Sequence, residues 1–596
     1  MTSDATTARS PSQYRIPVLI GVVGHRDLIA AETDDIRTSI TVLLTRLRDS
    51  APDVQLKLLS SMADGADLLT AEVATSLGID VIALLPYSLA QCRRDLHTDG
   101  ARARFDRVMA TAERLELPLP DGAPADATLA PGELRDAQYQ RAGALVAQYS
   151  TLLIAVWDGL DTEHPAGTAR VLDCRRRGGV SSNAESRSVG RLLGRADNDL
   201  VYEIRCGRVN GHGDMLQQRP PVGVIGFVTG TEQSGGVERG IPDGLATLLA
   251  RTGAFNRDVD QYGTKISAEG RRLAPASPLQ TALAVDYIDR LFMAADWLGV
   301  HFRGRFIRAL RMRYILWALL AFLLLAFKKE HQGSIALIAI CGVLLMFSIG
   351  WALAFWADRH RWHQRYLDYR ALAEGLRVDF YCTIAGVRSE VDPQFAHQSF
   401  LQQQDVELEW IRAAMRAVSL RCALFPQTVV PHGFSHAYAA WVGDPDPING
   451  SGQRLYYHQR LHSLEKRLEI AEFLARGMLV SGLAFGVLLA VDTAMRLAGR
   501  HFVSEDLRTL MTWGLAVLTV YGAIFEVYLS EKADRALIRQ YQHMDAIFSA
   551  AAAEMRSAKS SPEQLDVLRA LGRACLTEHA QWTLAHRDKR IDGLRW

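Results

Sequence analysis

Apolar residues are arranged along this chain in two distinct patterns. In the first third, short β-branched runs alternate with stretches whose apolar residues recur every three or four positions. "VLIGVVGHRD", Val18 to Asp27, predicts a strand that ends in glycine, and "DDIRTSITVLLTRLRD" predicts the helix after it. "LKLLSSMADGADLLTAEVATSLG" reads as a strand, an Asp64-Gly65 turn and a helix, and "DVIALLP" as the next strand. "STLLIAVWDG" ends a further strand at Asp158-Gly159, and a helix opens at "HPAGTARVLD". Near-continuous apolar strands alternating with helices predict an α/β, Rossmann-like, doubly wound parallel sheet. From about residue 172 to 275 the text turns Gly- and Arg-rich. There "VYEIRC" and "VGVIGFV" are candidate strands, "FNRDVDQYG" is a candidate flap over the cleft, and the arginines read as solvated.

The second pattern is four apolar segments in two pairs: Tyr314 to Phe327, Ile335 to Trp356, Gly477 to Val491 and Leu510 to Leu529. Ile335 to Trp356 would extend roughly 33 Å as a helix, enough for a hydrocarbon core of about 30 Å. The first segment is shorter and by itself suits a core helix as well; snorkelling of Arg311 and Arg313 would lengthen it into a span. Gly482 and Gly486 either admit a close helix neighbour or fall at that spacing by chance. Glu526 reads as an interfacial carboxylate. The arginines flanking the first pair place its ends in the cytoplasm, so four transmembrane helices put both termini inside, at the inner (plasma) membrane.

Helical patterns fill the remainder. Trp362, Tyr366, Tyr369, Leu372, Leu376 and Phe380 mark an amphipathic helix with Arg370 and Glu374 spaced to pair on its solvated face. Helices follow around "VELEWIRAAMRA" and, after the fourth segment, in two further stretches. The expected division is 1–275 (nucleotide-type α/β domain with a variable insert), 276–313 (linker helix), 314–356 (first hairpin), 357–476 (helical region), 477–529 (second hairpin) and 530–596 (C-terminal helices).

Composition adds exclusions. A formal charge of +1 over 596 residues gives no global case for nucleic acid as a partner. Seven scattered cysteines without a C-x-x-C pair suit neither a disulfide framework nor a zinc site, so no metal is expected. The polar N-terminus lacks a secretory signal, which places the front half in the cytoplasm.

The glycines at the strand ends carry the candidate chemistry. Helix N-termini offer free amides to anions, and glycine permits close approach. Gly24, Gly65 with Ala66, Gly159, and Gly167 with Thr168 would converge on one cleft. His25 and Arg26 would lie near the anion, Asp64 and Asp158 near sugar hydroxyls. Taken singly, each glycine reads first as a tight turn, and only the three junctions together favour the cleft; His25 reads equally as a cap or turn residue.

"GHRDL", "ADGAD", "IALLP", "LLIAVWDG" and "AGTA" together resemble the SLOG superfamily, over about Arg15 to Asp173. That superfamily includes the Lonely Guy (LOG) hydrolases, DNA-processing proteins and the nucleotide-sensing front domains of melastatin-type TRP channels. The resemblance implies a Rossmann-like fold that binds nucleotides or their ribose derivatives. The membrane pairs, with "DYRALAEGLRVDFY" and "LGRACLTEHAQW", resemble the SLATT group of two-span modules, which accompany such sensors in bacterial conflict systems as proposed pore-forming effectors. LOG hydrolases place a catalytic glutamate three residues after the threonine; here Val171 stands there, which favours sensing over hydrolysis, although Glu72 or Glu203 could supply an acid. The implied function is a membrane-anchored sensor of a nucleotide or nucleotide-derived ligand, ADP-ribose-like or cyclic-nucleotide-like, that triggers pore formation or bilayer disruption in antiphage defence. It would need no cofactor or catalytic residue, and would act as a homo-oligomer in the lipid bilayer. The rival readings are a membrane-tethered LOG-like phosphoribohydrolase and a ligand-regulated channel or transporter.

Overall fold

The computed structural model describes residues 11–119, 132–160, 167–177, 200–209, 223–228, 237–274, 283–329, 334–387, 408–424, 432–444, 446, 450–499, 503–532 and 534–587. Contacts group the chain into two units that interleave in sequence: Met1–Leu298 with Ala371–Gly433, and Gly299–Arg370 with Phe434–Trp596.

The first unit is built on one sheet of eight strands: β1 (Pro17–Gly24), β2 (Gln55–Ser60), β3 (Asp80–Leu85), β4 (Glu113–Glu116), β5 (Leu152–Trp157), β6 (Val201–Arg205), β7 (Gly223–Val228) and β8 (Val237–Glu238). Their order is β4-β3-β2-β1-β5-β6-β7-β8. The strands from β4 to β6 are parallel, as the alternating pattern predicts; β7 and β8 add an antiparallel margin. Both candidate strands of the insert are present as β6 and β7. The short β4, sequence Glu-Arg-Leu-Glu, has no apolar run to announce it; as an edge strand it needs none, and its charges discourage further pairing.

The helices, in chain order, are α1 (Thr33–Ser50), α2 (Ala66–Ser76), α3 (Leu89–Arg94), α4 (Asp99–Met109), α5 (Glu133–Tyr149), α6 (Thr168–Arg177), α7 (Asp243–Glu269), α8 (Leu283–Lys329), α9 (Ser334–Arg359), α10 (Trp362–Ile384), α11 (Glu409–Leu424), α12 (Gly452–Leu497), α13 (Glu505–Lys532), α14 (Asp534–Ser557) and α15 (Ser561–Arg587), apart from shorter turns. Leu19, Val23, Leu59, Leu84, Leu153 and Trp157 on one sheet face pack with Val146 and Tyr149 of α5, Val171 and Leu172 of α6, and Ala417 and Leu420 of α11. Burying side chains of this size contributes about 1.5–3 kcal/mol each. A segment that follows the first apolar pair in sequence therefore completes the core of the front unit.

Several expectations are corrected by the structure. "FNRDVDQYG" lies within α7 at the amino edge of the sheet: the Asn256 amide side chain bonds Ile16 N at 2.9 Å, Ile16 O at 3.1 Å and Asp53 O at 3.1 Å. A flap over the carboxyl edge is ruled out by those bonds. Arg175, expected to be solvated, is 2 % exposed. Its terminal nitrogens donate to the carbonyls of Ala147, Ser150, Thr151 and Leu200, so backbone dipoles replace water around the charge. The helix from Trp362 is buried around most of its circumference rather than on one stripe, and Glu374 pairs with Arg377.

In the second unit, three helices among the described residues are long and apolar enough to cross a membrane, within Ile340–Ile384, Gly452–Leu497 and Glu505–Ser557. Their most apolar windows have mean hydropathies of 2.0, 2.0 and 1.6, and the protein covers only 6 to 11 % of each. Leu337, Ile338, Leu344, Phe347 and Trp351 of α9 and Val480, Leu483 and Val487 of α12 are exposed. An apolar surface of this extent is unfavourable in water and suits lipid. Gly482 and Gly486 face α13: a Cβ at Gly482 would lie 2.8 Å from Thr519 Cγ2, and one at Gly486 would lie 3.4 Å from Leu515 Cδ1. The turn between α12 and α13 is fastened by buried Asp492, which accepts from Arg496 Nε at 2.8 Å and from the Val503 amide at 3.1 Å. Arg313 does not snorkel; it is buried, with its guanidinium 5.2 Å from the Tyr314 ring centroid and 5.4 Å from that of Trp317, an attraction that offsets part of its desolvation.

Five described cysteines are free thiols, and of these only Cys341, in α9, is exposed. In a variant retaining Cys341 alone, a membrane-impermeant maleimide should leave the thiol unmodified in intact vesicles and label it after denaturation. Rapid labelling in intact vesicles would contradict placement of α9 in hydrocarbon.

Candidate functional site

The chain runs outward from β1 through β2 and β3 to β4, then returns to β5 on the other side of β1. Loops leaving neighbouring strands diverge at such a reversal, and the crevice beyond the carboxyl ends is where ligands bind in open α/β sheets. Gly24, His25 and Arg26 leave β1 there, and Asp158 and Gly159 leave β5.

His25 joins these strand ends. Its amide donates to the Val156 carbonyl at 3.0 Å, and its carbonyl accepts from the Ala66 amide at 3.1 Å. Its ring Nε2 lies 3.0 Å from the Asp158 amide nitrogen and 3.1 Å from Asp158 Oδ1. An unprotonated Nε2 accepts from the amide, whereas a protonated Nε2 donates to the carboxylate. Burial works to raise the Asp158 carboxyl, but hydrogen bonds from His25 and the Leu160 amide and the charge of Arg208 outweigh it and hold the group below its ordinary range. Backbone closeness is required around this joint. A Cβ at Gly24 would lie 2.4 Å from that of Ala66, and Gly65, at φ +79°, would place a Cβ 2.4 Å from the His25 carbonyl oxygen.

One amide at the N-terminus of α2 is taken up within the protein. The His25 carbonyl takes the Ala66 amide, and the Asp67 side chain bonds the Ser61 hydroxyl. Asp67 is 4 % exposed, and burial pushes its carboxyl up to about 7, against the opposing hydrogen bond from Ser61.

Beside this joint stands a charged rim. Arg26 lies 3.5 Å from Asp95 and 4.2 Å from the Tyr139 ring centroid, and Arg135 donates to Asp95 at 2.7 Å. The Tyr139 hydroxyl also bonds Asp95, and burial raises its pKa. Asp64 accepts from the Gly65 amide at 2.9 Å and pairs with Arg104 at 3.4 Å. Glu72 is within 3.4 to 3.7 Å of Arg37, Arg104 and Arg107. Five arginines thus face three carboxylates, and the local excess of positive charge attracts anions although the whole chain is nearly neutral.

The structure brings Gly24, His25, Gly65, Ala66 and Asp158 into direct contact, with Arg26, Asp64 and Gly159 on the same edge. Gly167 and Thr168 begin α6, where the Gly167 carbonyl accepts the Arg170 and Val171 amides. Among the described residues no hydrogen bond joins this pair to the other candidates. Val171 is buried in the core, where a Cβ at Gly143 would lie 2.8 Å from its Cγ2. The alternative acids Glu72 and Glu203 are each engaged with arginine, Glu203 with Arg205 at 3.1 Å. A cavity of about 370 Å³ lies off the β1–β5 reversal, at the ends of β3 and β4, lined in part by Tyr87, Gln91, Arg94 and Glu116. Its lining includes none of the candidate residues, and the reversal has the denser set of charged partners, which favours the reversal as the site.

Asp95, Arg104 and Tyr139 went unread in the sequence, and Arg205, read there among the solvated arginines of the insert, is mostly buried. Only Arg205 left a signal there: Glu203 and Arg205 alternate with apolar residues in "VYEIRC", which puts two charges on one face of a buried strand. No protein-family model and no curated protein matches the chain.

Asp67 binds its proton more tightly folded than unfolded, so its contribution to stability is greatest at low pH and declines as pH rises from about 4 to about 7. The loss amounts to up to about 4 kcal/mol across that window. Melting curves at several pH values should show Asp67→Asn losing this downward trend; parallel pH profiles for the variant and wild type would contradict the assignment.

Proposed function

We propose that this chain is a membrane-anchored sensor of a nucleotide or nucleotide-derived anion, bound at the carboxyl edge of its α/β sheet. The observation that carries this reading is the joint at the β1–β5 reversal, where His25 and Asp158 meet beside a rim with more arginine than carboxylate. The resemblance to SLOG sensors and SLATT membrane modules points the same way. Burial of Val171 against α5 supports binding without LOG-type hydrolysis, since a core residue occupies the glutamate's position.

The apolar segment Tyr314 to Phe327 serves in this reading as a fourth span. Its support is local: the Tyr521 hydroxyl donates to the Ala318 carbonyl at 2.9 Å, and the Tyr314 and Tyr528 rings are 5.3 Å apart. Both termini then lie in the cytoplasm, at the bacterial plasma membrane. Helices α8 and α10 each contribute residues to both units, so the chain itself offers two continuous connections between sensor and membrane helices. A ligand that binds two states unequally would shift the assembly or packing of the spans in a homo-oligomer and open or disrupt the bilayer, as antiphage defence requires.

The test uses the full chain in liposomes loaded with dye. The nucleotide that copurifies, identified by mass spectrometry, should increase release from wild type, and Arg26→Ala with Arg104→Ala should weaken its binding about tenfold or more, as expected for lost charge-assisted hydrogen bonds. Release that ignores nucleotide would overturn the sensor reading. Appearance of free base and phosphorylated ribose would establish the hydrolase instead.

A further inference from the structure

We propose that Arg205, at the carboxyl end of β6, is a dedicated seat for one phosphate-type oxyanion, formed with Trp157 and Gly159. This deepens the nucleotide reading by naming the group that holds the ligand's phosphate, while the seat itself requires only an oxyanion.

The side chains that form it share one sheet face, because Trp157 pairs with Arg205 and Ala155 with Glu203 in the parallel β5–β6 register. The Arg205 guanidinium lies 4.7 Å from the Trp157 ring centroid, and its Nη2 is 3.1 Å from Glu203 Oε2. That single carboxylate does not use the rest of the fork. Nε and Nη1 of Arg205 and Nε1 of Trp157 are buried without a hydrogen-bond partner among the described residues, and Trp157 is only 4 % exposed. Gly159 makes the room: at φ +83° it lies so close that a Cβ there would fall 1.5 Å from Arg205 Nη1.

Arg175 of the same unit shows what a purely structural buried arginine looks like, with both terminal nitrogens bonded to backbone carbonyls. Arg205 instead keeps donors in reserve beside an indole N–H. Stranded buried donors are unfavourable, and the acceptor chemistry that would relieve three of them together is an oxyanion with several lone pairs. The planar fork of arginine matches phosphate geometry, which lysine, a point charge, does not. The seat adjoins the His25–Asp158 joint, since Asp158 lies between Trp157 and Gly159 in the chain.

The test titrates the full chain in detergent with inorganic phosphate, AMP and adenosine as probes, by calorimetry. Wild type should bind phosphate and AMP. Arg205→Lys, which keeps the charge, should weaken both by about tenfold or more while leaving adenosine unchanged. Trp157→Phe, which keeps the ring and loses the N–H, should weaken both by a few-fold. Melting curves establish that each variant is folded. Phosphate and AMP bound equally by wild type and both variants would overturn the seat while leaving the nucleotide reading intact. Phosphate binding that depends on Arg205 without any binding of AMP or adenosine would uphold the seat and overturn the nucleotide reading. Failure of wild type to bind either phosphate or AMP would overturn the seat.

Discussion

The carboxyl edge of the front unit depends on one residue, His25. Its amide holds β5, its carbonyl holds the first turn of α2, and its ring meets Asp158. Three loops that leave different strands or helices are thereby pinned at one place, and each would otherwise carry its own conformational entropy. With His25 fixed, the neighbouring Arg26 reaches the Asp95 and Tyr139 side chains. A pre-organised edge of this kind binds a ligand without first paying to order its own loops.

Buried charge in the molecule falls into two kinds. Asp289 accepts from Arg272 at 2.9 Å and from the Leu273 amide at 2.6 Å, which fastens the start of α8 within the front unit. Asp492 fastens the turn between α12 and α13, and Arg175 links the ends of α5 and α6 to neighbouring strands. In these cases protein partners offset part of the desolvation of the charge, although burial still raises the Asp289 carboxyl, and the groups act as rigid joints. In the proposed sensor the Asp289 joint would bear on transmission, because α8 continues from it to Lys329. A helix held at its origin passes a displacement along its length, whereas a frayed one would absorb it. Arg205 is of the second kind, with donors that the described protein leaves unmatched.

Much of this architecture was legible because burial on both faces of a parallel strand forces a continuous apolar run. β1, β3 and β5 each carry one, and the run of β2 is broken at Lys57. β4 carries none, because an edge strand needs no such run. The attachment of α11 to the sheet was not legible, since an apolar stripe such as Trp410, Ile411 and Met415 shows that a partner exists without naming it. Arg313 and Arg175 misled for one reason: arginine can be buried where rings or carbonyls surround it, and spacing along the chain does not report those neighbours. At the site, the strand-end residues were readable from glycine and aspartate punctuation. The contact between His25 and Asp158 was not, because 133 positions separate them and only the strand order makes them neighbours.

The central claim is that an anionic ligand occupies the β1–β5 reversal of the intact protein. Hydrogen–deuterium exchange of the full chain, with and without the nucleotide that copurifies with it, tests this most directly. The account predicts protection concentrated in peptides covering residues 20–28, 62–69 and 154–160. Protection centred on the cavity between Tyr87 and Arg94, or none in the front unit, would contradict it.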